Sequence, residues 1–509
     1  MKKVLFVIIL SIFTLTFLFT ACSSDFGGYK NLGDYYAPTV GDNASNAEGG
    51  EVSGEDYTEI KENDFVDTSV TTESYFSIDA NTASYPNVRR MINTGIEQIP
   101  KDAVRVEEIL NYFTYDYSTP TNGEVFALTS SIFPNPYNSE TKLMCIGLAT
   151  EKVEMTEQQN NIVFLIDTSG SMFDELPLVQ IGFKLLAENL NPTDRVSVVT
   201  YAGSSEVALD GAYGYETDKI KAVIEDLSAG GSTAGCQGIQ TAYEIAGKHY
   251  IDGGNNRVIL MTDGDFNVGI SSNTGLESFI SEKRESGIFL STFGVGSGNY
   301  QSSKMETLAL KGNGTYSYID SVAEARKALV EQIGGTLITV AKDVKAGVYF
   351  NPDYVSSFRL IGYENKLLTQ EEFENNATDA GELGSGHTAT VVYEIKLTEA
   401  GENLTEGNFA EVKIRYKKPS EGTDAMSSEQ VLPITASSYH NQLTFVDNFV
   451  SSVIEFALVL RQSDFVAQGN IENVIARLNQ LDLDDDEEKL EFRNLVKYYQ
   501  DRYAHPLEN

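Results

Sequence analysis

The sequence predicts an α/β protein, with a doubly wound parallel sheet flanked by a β-sandwich-type domain and C-terminal helices. Three observations predict it. Residues 162–166, Ile-Val-Phe-Leu-Ile, are an uninterrupted apolar run rich in β-branched side chains, as expected of a parallel strand covered on both faces. From there to about residue 336 strand patterns alternate with helix patterns, which demands a parallel sheet with helices on both faces. Between 341 and 416 the strands alternate apolar and polar residues with no helix between them, and 442–502 then carries the period of amphipathic helices.

The chain opens with Lys2-Lys3, a largely apolar core over 4–19, and Thr20-Ala21-Cys22, which reads as a secretory signal over residues 1–22. A small residue before cysteine at the end of such a core resembles the lipobox cut by lipoprotein signal peptidase, although Phe19 stands where leucine is preferred. That resemblance implies lipidation of Cys22 and a lipid-anchored body on the extracytoplasmic face of the cell membrane. Residues 23–71 are rich in Gly, Ser, Asn and acids, bury too little to fold, and are expected to form a disordered acidic linker.

The region 72–154 should hold a strand at 74–79, a helix opening at 81–85, a second helix at 105–113, and strands at 126–133 and 142–149 joined through Pro134-Asn135-Pro136. Asp79 and Arg105 are read as a buried ion pair that fixes this region, not as a site. In 155–337, helices are expected at 176–190, 217–227, 238–250, 276–286, 302–311 and 322–336. Strands are expected there at 195–201, 206–209, 258–261, 288–295 and 315–319. The region 338–440 is the sandwich-like part, with strands at 341–350, 357–363, 388–397, 409–416 and 431–435, and 441–509 is the helical part. Two isolated strands do not fold alone, and the ends of a doubly wound domain commonly lie close together. The strands of 126–149 are therefore expected to pair with those of 341–416, making one β-domain interrupted by the α/β domain.

At 509 residues the chain supports two to four domains. Its formal charge of -37, from 37 basic and 74 acidic residues, opposes binding to nucleic acid or to anionic lipid headgroups. After Cys22, only Cys145 and Cys236 remain, too few for a disulfide framework, and Cys236 is read as a packing residue at a helix start. The acidic run at 482–488 has Glu487 at the sixth place and Arg493 at the twelfth, where a calcium loop needs glycine and glutamate, so it is read as a solvated loop capping the last helix. His249, His387, His440 and His505 show no zinc spacing.

The chemistry gathers where the apolar run ends. Asp167 falls at the carboxyl end of that strand, the edge where open α/β sheets bind ligands. Asp167, Ser169 and Ser171 alternate along the exit loop, and Gly170 permits a tight turn, so three oxygen side chains can converge. Hard oxygen donors suit magnesium, manganese or calcium and not zinc. An aspartyl phosphatase would carry a second aspartate where Ser169 stands. No Gly-x-Ser-x-Gly elbow and no phosphate-binding Gly-x-x-x-x-Gly-Lys-Ser/Thr loop occurs.

The spacing Asp-x-Ser-x-Ser after a strand resembles the metal-ion-dependent adhesion site of the von Willebrand factor type A (vWA) family. Two further pieces of that pattern follow: Thr233 in the glycine-rich stretch 230–235, and Asp263 at the end of the apolar run 257–262. The resemblance implies a metal site formed by Asp167, Ser169, Ser171, Thr233 and Asp263. Phe76-Ser-Ile-Asp-Ala-Asn-Thr-Ala-Ser-Tyr-Pro-Asn-Val-Arg-Arg90, with Val104-Arg-Val-Glu-Glu108 and Asn111-Tyr-Phe113, further resembles the lipid-anchored bacterial subgroup of that family, and the likeness extends over about 76–499. In the family a partner's Asp or Glu completes the ion's coordination. The expectation is a protein-binding lipoprotein of the cell envelope, not an enzyme, serving adhesion or complex assembly. Two rival readings are a metal-dependent hydrolase, for which Asp265 is the nameable base, and a structural module whose metal locks three loops.

Overall fold

The computed structural model describes residues 54–121, 123–153, 159–232, 235–264, 273–422 and 424–504. The signal, Cys22 and the linker up to residue 53 lie outside the described residues, as do Thr233 and Asp265. Among the described residues no helix is long and apolar enough to cross a membrane.

Four strands precede the α/β domain: β1 Val66–Asp67, β2 Glu73–Ser77, β3 Phe126–Pro134 and β4 Lys142–Thr150. Between β2 and β3 lie the helices Ser84–Thr94 and Val106–Asn111. The expected linker over 23–71 is corrected for its last part, because residues 54–71 lie on the body. Val66 and Asp67 pair with Phe358 and Ser357, the Thr68 hydroxyl donates to Val355 O at 2.8 Å, and the Phe65 ring meets Phe465 edge-on.

The α/β domain supplies β5 Asn160–Asp167, β6 Arg195–Tyr201, β7 Ser205–Tyr213, β8 Asn255–Thr262, β9 Ile288–Gly294 and β10 Tyr316–Tyr318. Their order is β10-β9-β8-β5-β6-β7, parallel throughout except for the antiparallel edge strand β7. Cover on both faces explains why β5, whose side chains alternate between them, is apolar at every position from Ile162 to Ile166. Ile162, Phe164 and Ile166 enter one core with the helices Leu176–Glu188 and Thr217–Glu225 and the segment after β10, whereas Val163 and Leu165 enter the other with Gly235–Lys248, Asn273–Glu285 and Ser302–Lys311. The last helix, expected as one piece over 322–336, is broken into Val322–Arg326, a wider turn at Lys327–Glu331, and Ile333–Leu337.

Six strands follow: β11 Thr339–Phe350, β12 Val355–Ile361, β13 Gly381–Gly384, β14 Thr388–Leu397, β15 Asn408–Lys417 and β16 Ser428–Thr435. With β1 to β4 they form two antiparallel sheets, β1-β12-β14-β4-β3 and β13-β11-β15-β16 with β2 also on β11. β14 pairs with β4 from Thr388↔Ala149 to Ile395↔Lys142, so the interrupted β-domain is as expected. One core lies between the sheets, where Phe350 stacks on Phe358 at 4.1 Å and Phe126 meets Tyr416 edge-on at 4.9 Å. The two ends of the inserted domain meet at one residue: Ser385 Oγ accepts from Val153 N and donates to Val153 O, while Ser385 N donates to Ile338 O.

The C-terminal helices Phe445–Arg461, Ile471–Leu478 and Glu487–Tyr499 pack with the two N-terminal helices in a separate core around Tyr85, Leu110, Phe113, Phe449, Phe456 and Phe492. Asp486 caps the last of them by accepting from Lys489 N, the role read for the acidic run. Both described cysteines are buried, Cys145 in this core and Cys236 in the second α/β core.

Candidate functional site

Asp167 ends β5 and Asp263 follows β8, the strand beside it, so the sheet itself brings the two carboxylates to one edge. Both are buried, as is Ser169, while Gly170 and Ser171 are exposed. The Ser169 and Ser171 hydroxyls stand 3.1 Å apart. Asp167 is held on both oxygens: Oδ1 accepts from Ser169 N at 2.9 Å, and Oδ2 accepts from the Thr262 hydroxyl at 2.7 Å and the Tyr201 hydroxyl at 3.1 Å. Tyr201 ends β6 directly opposite Asp167 in the strand register.

Backbone bonds tie the neighbouring loops to this exit loop. Thr168 N donates to Tyr201 O, Gly230 N to Thr168 O at 2.8 Å, and Gly170 N to Gly231 O at 3.2 Å. The glycine-rich stretch that leads to Thr233 is thereby fixed against Gly170, although Thr233 lies outside the described residues. Gly296, at φ +85°, lies close to both Asp263 and Glu175, since a Cβ there would lie 3.6 Å from Asp263 Cβ and 3.3 Å from Glu175 Cγ.

The site is acidic and partly desolvated. Burial lifts the Asp167 carboxyl above its ordinary range and Asp263 pushes it the same way, while the donors Thr262 and Ser169 oppose them. Glu175 is raised by burial, then by Asp174 and Asp263. The oxygens that could face a cation are the hydroxyls of Ser169 and Ser171 and the carboxylates of Asp167 and Asp263. Among the described residues no three His, Cys, Asp or Glu side chains gather as a metal cluster, so a site here draws on hydroxyls. His249 bonds to Asp210 and His440 to Asp447, and neither partner belongs to this site.

A second layer was not apparent from the sequence. Asn299 Nδ2 donates to Asp263 Oδ2 at 3.2 Å, and Gln301 N donates to Asp263 O. The segment Gly54–Tyr57 straps that same loop: Asp56 N donates to Tyr300 O at 2.8 Å, Ser302 N to Asp56 O at 3.0 Å, and Gly298 N to Glu55 Oε1 at 2.9 Å. Arg90 in turn pairs with Glu55 at 2.9 Å.

The architecture agrees with the comparisons. The von Willebrand factor type A domain matches residues 161–332, a segment described as von Willebrand factor matches 51–145, and the C-terminal part of the uncharacterized protein YfbK matches 335–501. "Uncharacterized protein YfbK" of Escherichia coli (strain K12) is 40% identical over 416 residues, which is 77% of this chain and 71% of that one. The chain belongs to the YfbK family of vWA domain proteins. It also aligns with the solved structures of a von Willebrand factor type A protein from Catenulispora acidiphila (15% identity, TM-score 0.41, 77% of this chain and 89% of that one). A further alignment is with the ArnB paralog VWA2 from Sulfolobus acidocaldarius (15% identity, TM-score 0.35, 74% and 97%). The inserted α/β domain is thus the vWA domain, and the sandwich and helical layer are built from the two flanking matches together.

Proposed function

We propose that the vWA domain binds a divalent ion, magnesium or alternatively manganese or calcium, through Asp167, Ser169, Ser171, Thr233 and Asp263, and uses it to hold a carboxylate of a protein partner. The observation that carries this reading is the pair of hydroxyls 3.1 Å apart, set beside two carboxylates at the open edge of the sheet. Hard oxygen donors of this kind fit such an ion. Two buried acidic groups side by side are a poor arrangement without a cation and a good one with it. When bound, the ion supplies an electrophilic coordination position for an Asp or Glu of the partner. The chain's own part is positional: Thr262, Tyr201 and Ser169 N fix Asp167, and Asn299 fixes Asp263.

Calorimetry with magnesium tests the site. Asp167→Ala is expected to abolish binding, but it also strips the acceptor from Tyr201 and Thr262, which costs about 1–3 kcal/mol of stability. Ser171→Ala removes an exposed hydroxyl and leaves the fold untouched, so it serves as the control. Undiminished binding in both variants removes the assignment. Chelation then separates recognition from a loop-locking role: partner binding lost with an unchanged melting curve supports the former, and melting of the domain supports the latter.

We further propose that Cys22 carries the lipid that anchors the protein to the cell membrane on its extracytoplasmic side, where it acts in adhesion or in assembly of an envelope complex. The apolar core followed by Thr-Ala-Cys supports this. The wild type should partition into detergent, whereas Cys22→Ser should run as uncleaved precursor, and normal processing of that variant would refute lipidation.

A further inference from the structure

We propose that the partner segment brings two groups together to this face: a carboxylate for the metal site and, within two positions of it, a bulky apolar side chain that packs on Phe173. This rests on the metal-site reading above and names the motif that the site selects. Phe173 lies two residues beyond Ser171, at the end of the turn Gly170–Phe173, and is 72% exposed. Its position is not that of a loose loop tip. Met172, between Ser171 and Phe173, is wholly buried in the core beneath the sheet, and Met172 N donates to Ser169 O at 3.1 Å. Glu175 N donates to Met172 O at 3.1 Å, and the helix Leu176–Glu188 begins immediately after with a buried leucine. The turn is therefore anchored on both sides of Phe173, which sets where its backbone stands relative to Ser171.

Its surroundings favour an approaching chain. Gly170, Gly203, Gly230 and Gly231 are exposed and the last two are bonded to the exit loop, so the backbone of a partner can come close without meeting large side chains. A Phe kept in water next to a polar site gains by burial against apolar surface and by nothing else available there. Charge sets the sign of what comes next: exposed Asp174 and half-buried Glu175 follow the ring directly. They disfavour a second acid beside the apolar residue, so the motif is a single acid with an apolar neighbour and not an acidic run.

The test uses the full-length chain in detergent to select from displayed heptapeptides with a fixed central Asp or Glu, against a matched set with central Asn, in magnesium and in chelator. The expected result is magnesium-dependent enrichment of acidic clones carrying Leu, Ile, Met or an aromatic residue within two positions of the acid. Phe173→Ser, a change at a surface position, should keep the requirement for acid and magnesium but lose the apolar preference. It should bind the enriched peptides roughly ten- to a hundredfold more weakly. Acidic, magnesium-dependent clones without an apolar preference, or with one that Phe173→Ser retains, overturn this proposal and leave the metal reading standing. No magnesium-dependent enrichment of acidic clones overturns both. A change of oligomeric state in Phe173→Ser with unaltered peptide selection assigns the ring to a contact between copies and also overturns it.

Discussion

Glu306 belongs to the vWA helix Ser302–Lys311, yet both of its ionic partners lie outside that domain. Arg105 reaches it at 2.6 Å and Lys366 at 2.9 Å, and Lys366 also pairs with Asp79 at 2.7 Å. Burial pushes the Glu306 carboxyl up, but Lys366 and Arg105 outweigh it and hold it down at about 2. Since the folded value lies below the unfolded one, near 4.5, its contribution to stability is complete above pH 4.5 and is lost as pH falls through about 2. Glu306→Gln is expected to flatten the acid limb of the melting-temperature profile in that window. At neutral pH it should cost about 3–5 kcal/mol, as loss of one partner from a buried charge set does. Thermal melts from pH 2 to 7 check this, and an unchanged acid limb would assign it to other carboxylates. The sequence suggests one buried ion pair of Asp79 with Arg105, which the structure corrects: Asp79 pairs with Lys366, and Arg105 with Glu306 and Glu108. It could not show that the partners are Lys366 and Glu306, because they lie more than two hundred residues away. The same limit applies at the site. Asp167, Ser169 and Ser171 are readable because they share one loop, whereas Tyr201, Thr262 and Asn299 reach the two aspartates through strand register and a distant turn.

At the scale of elements, the readable pieces were those whose periodicity is set by two-sided burial. β5 and β8 are buried at every position and contain the expected runs 162–166 and 258–261, beginning two and three residues earlier. The short and glycine-rich strands escaped. β1 has two residues and β13 is Gly-Glu-Leu-Gly, so neither carries a period, and each exists because a longer neighbour offers it an edge. The edge strand β7 runs Ser205–Tyr213, longer than the expected 206–209, because irregular register against β6 lets polar residues face outward along it. Residues 54–71 were misread for a related reason. Their composition is that of a solvated linker, but individual groups have specific partners: Glu55 meets Arg90 and Gly298 N, and Asn63 donates to Leu360 O and Gly362 O. Average polarity describes how much a segment can bury and is blind to where its hydrogen bonds go.

For the whole molecule, the pairing of the strands before and after the vWA domain makes the second half dependent on the first. The sheet β1-β12-β14-β4-β3 takes three of its five strands from residues preceding the insertion, and the other sheet takes β2. A fragment of residues 338–509 would keep β12 and β14 but expose both outer edges, because β12 loses β1 and β14 loses β4. It would also lose Phe76, Ile132, Met144, Ile146 and Leu148 from the sandwich core, and Tyr85, Val88, Leu110 and Phe113 from beneath the C-terminal helices. Unpaired edges over an uncovered apolar face are a template for association. The vWA domain stands differently: its sheet is made of its own six strands, with three helical segments of its own on each face. Residues 155–337 are therefore expected to fold alone and melt cooperatively, while 338–509 aggregates unless the segment 54–154 is supplied with it. Size-exclusion chromatography and thermal melts of the two fragments, with and without added 54–154, decide the matter. A soluble 338–509 fragment that melts cooperatively by itself would mean that the strand pairing across the insertion adds little to stability, and that the sandwich does not need its N-terminal strands to hold its shape.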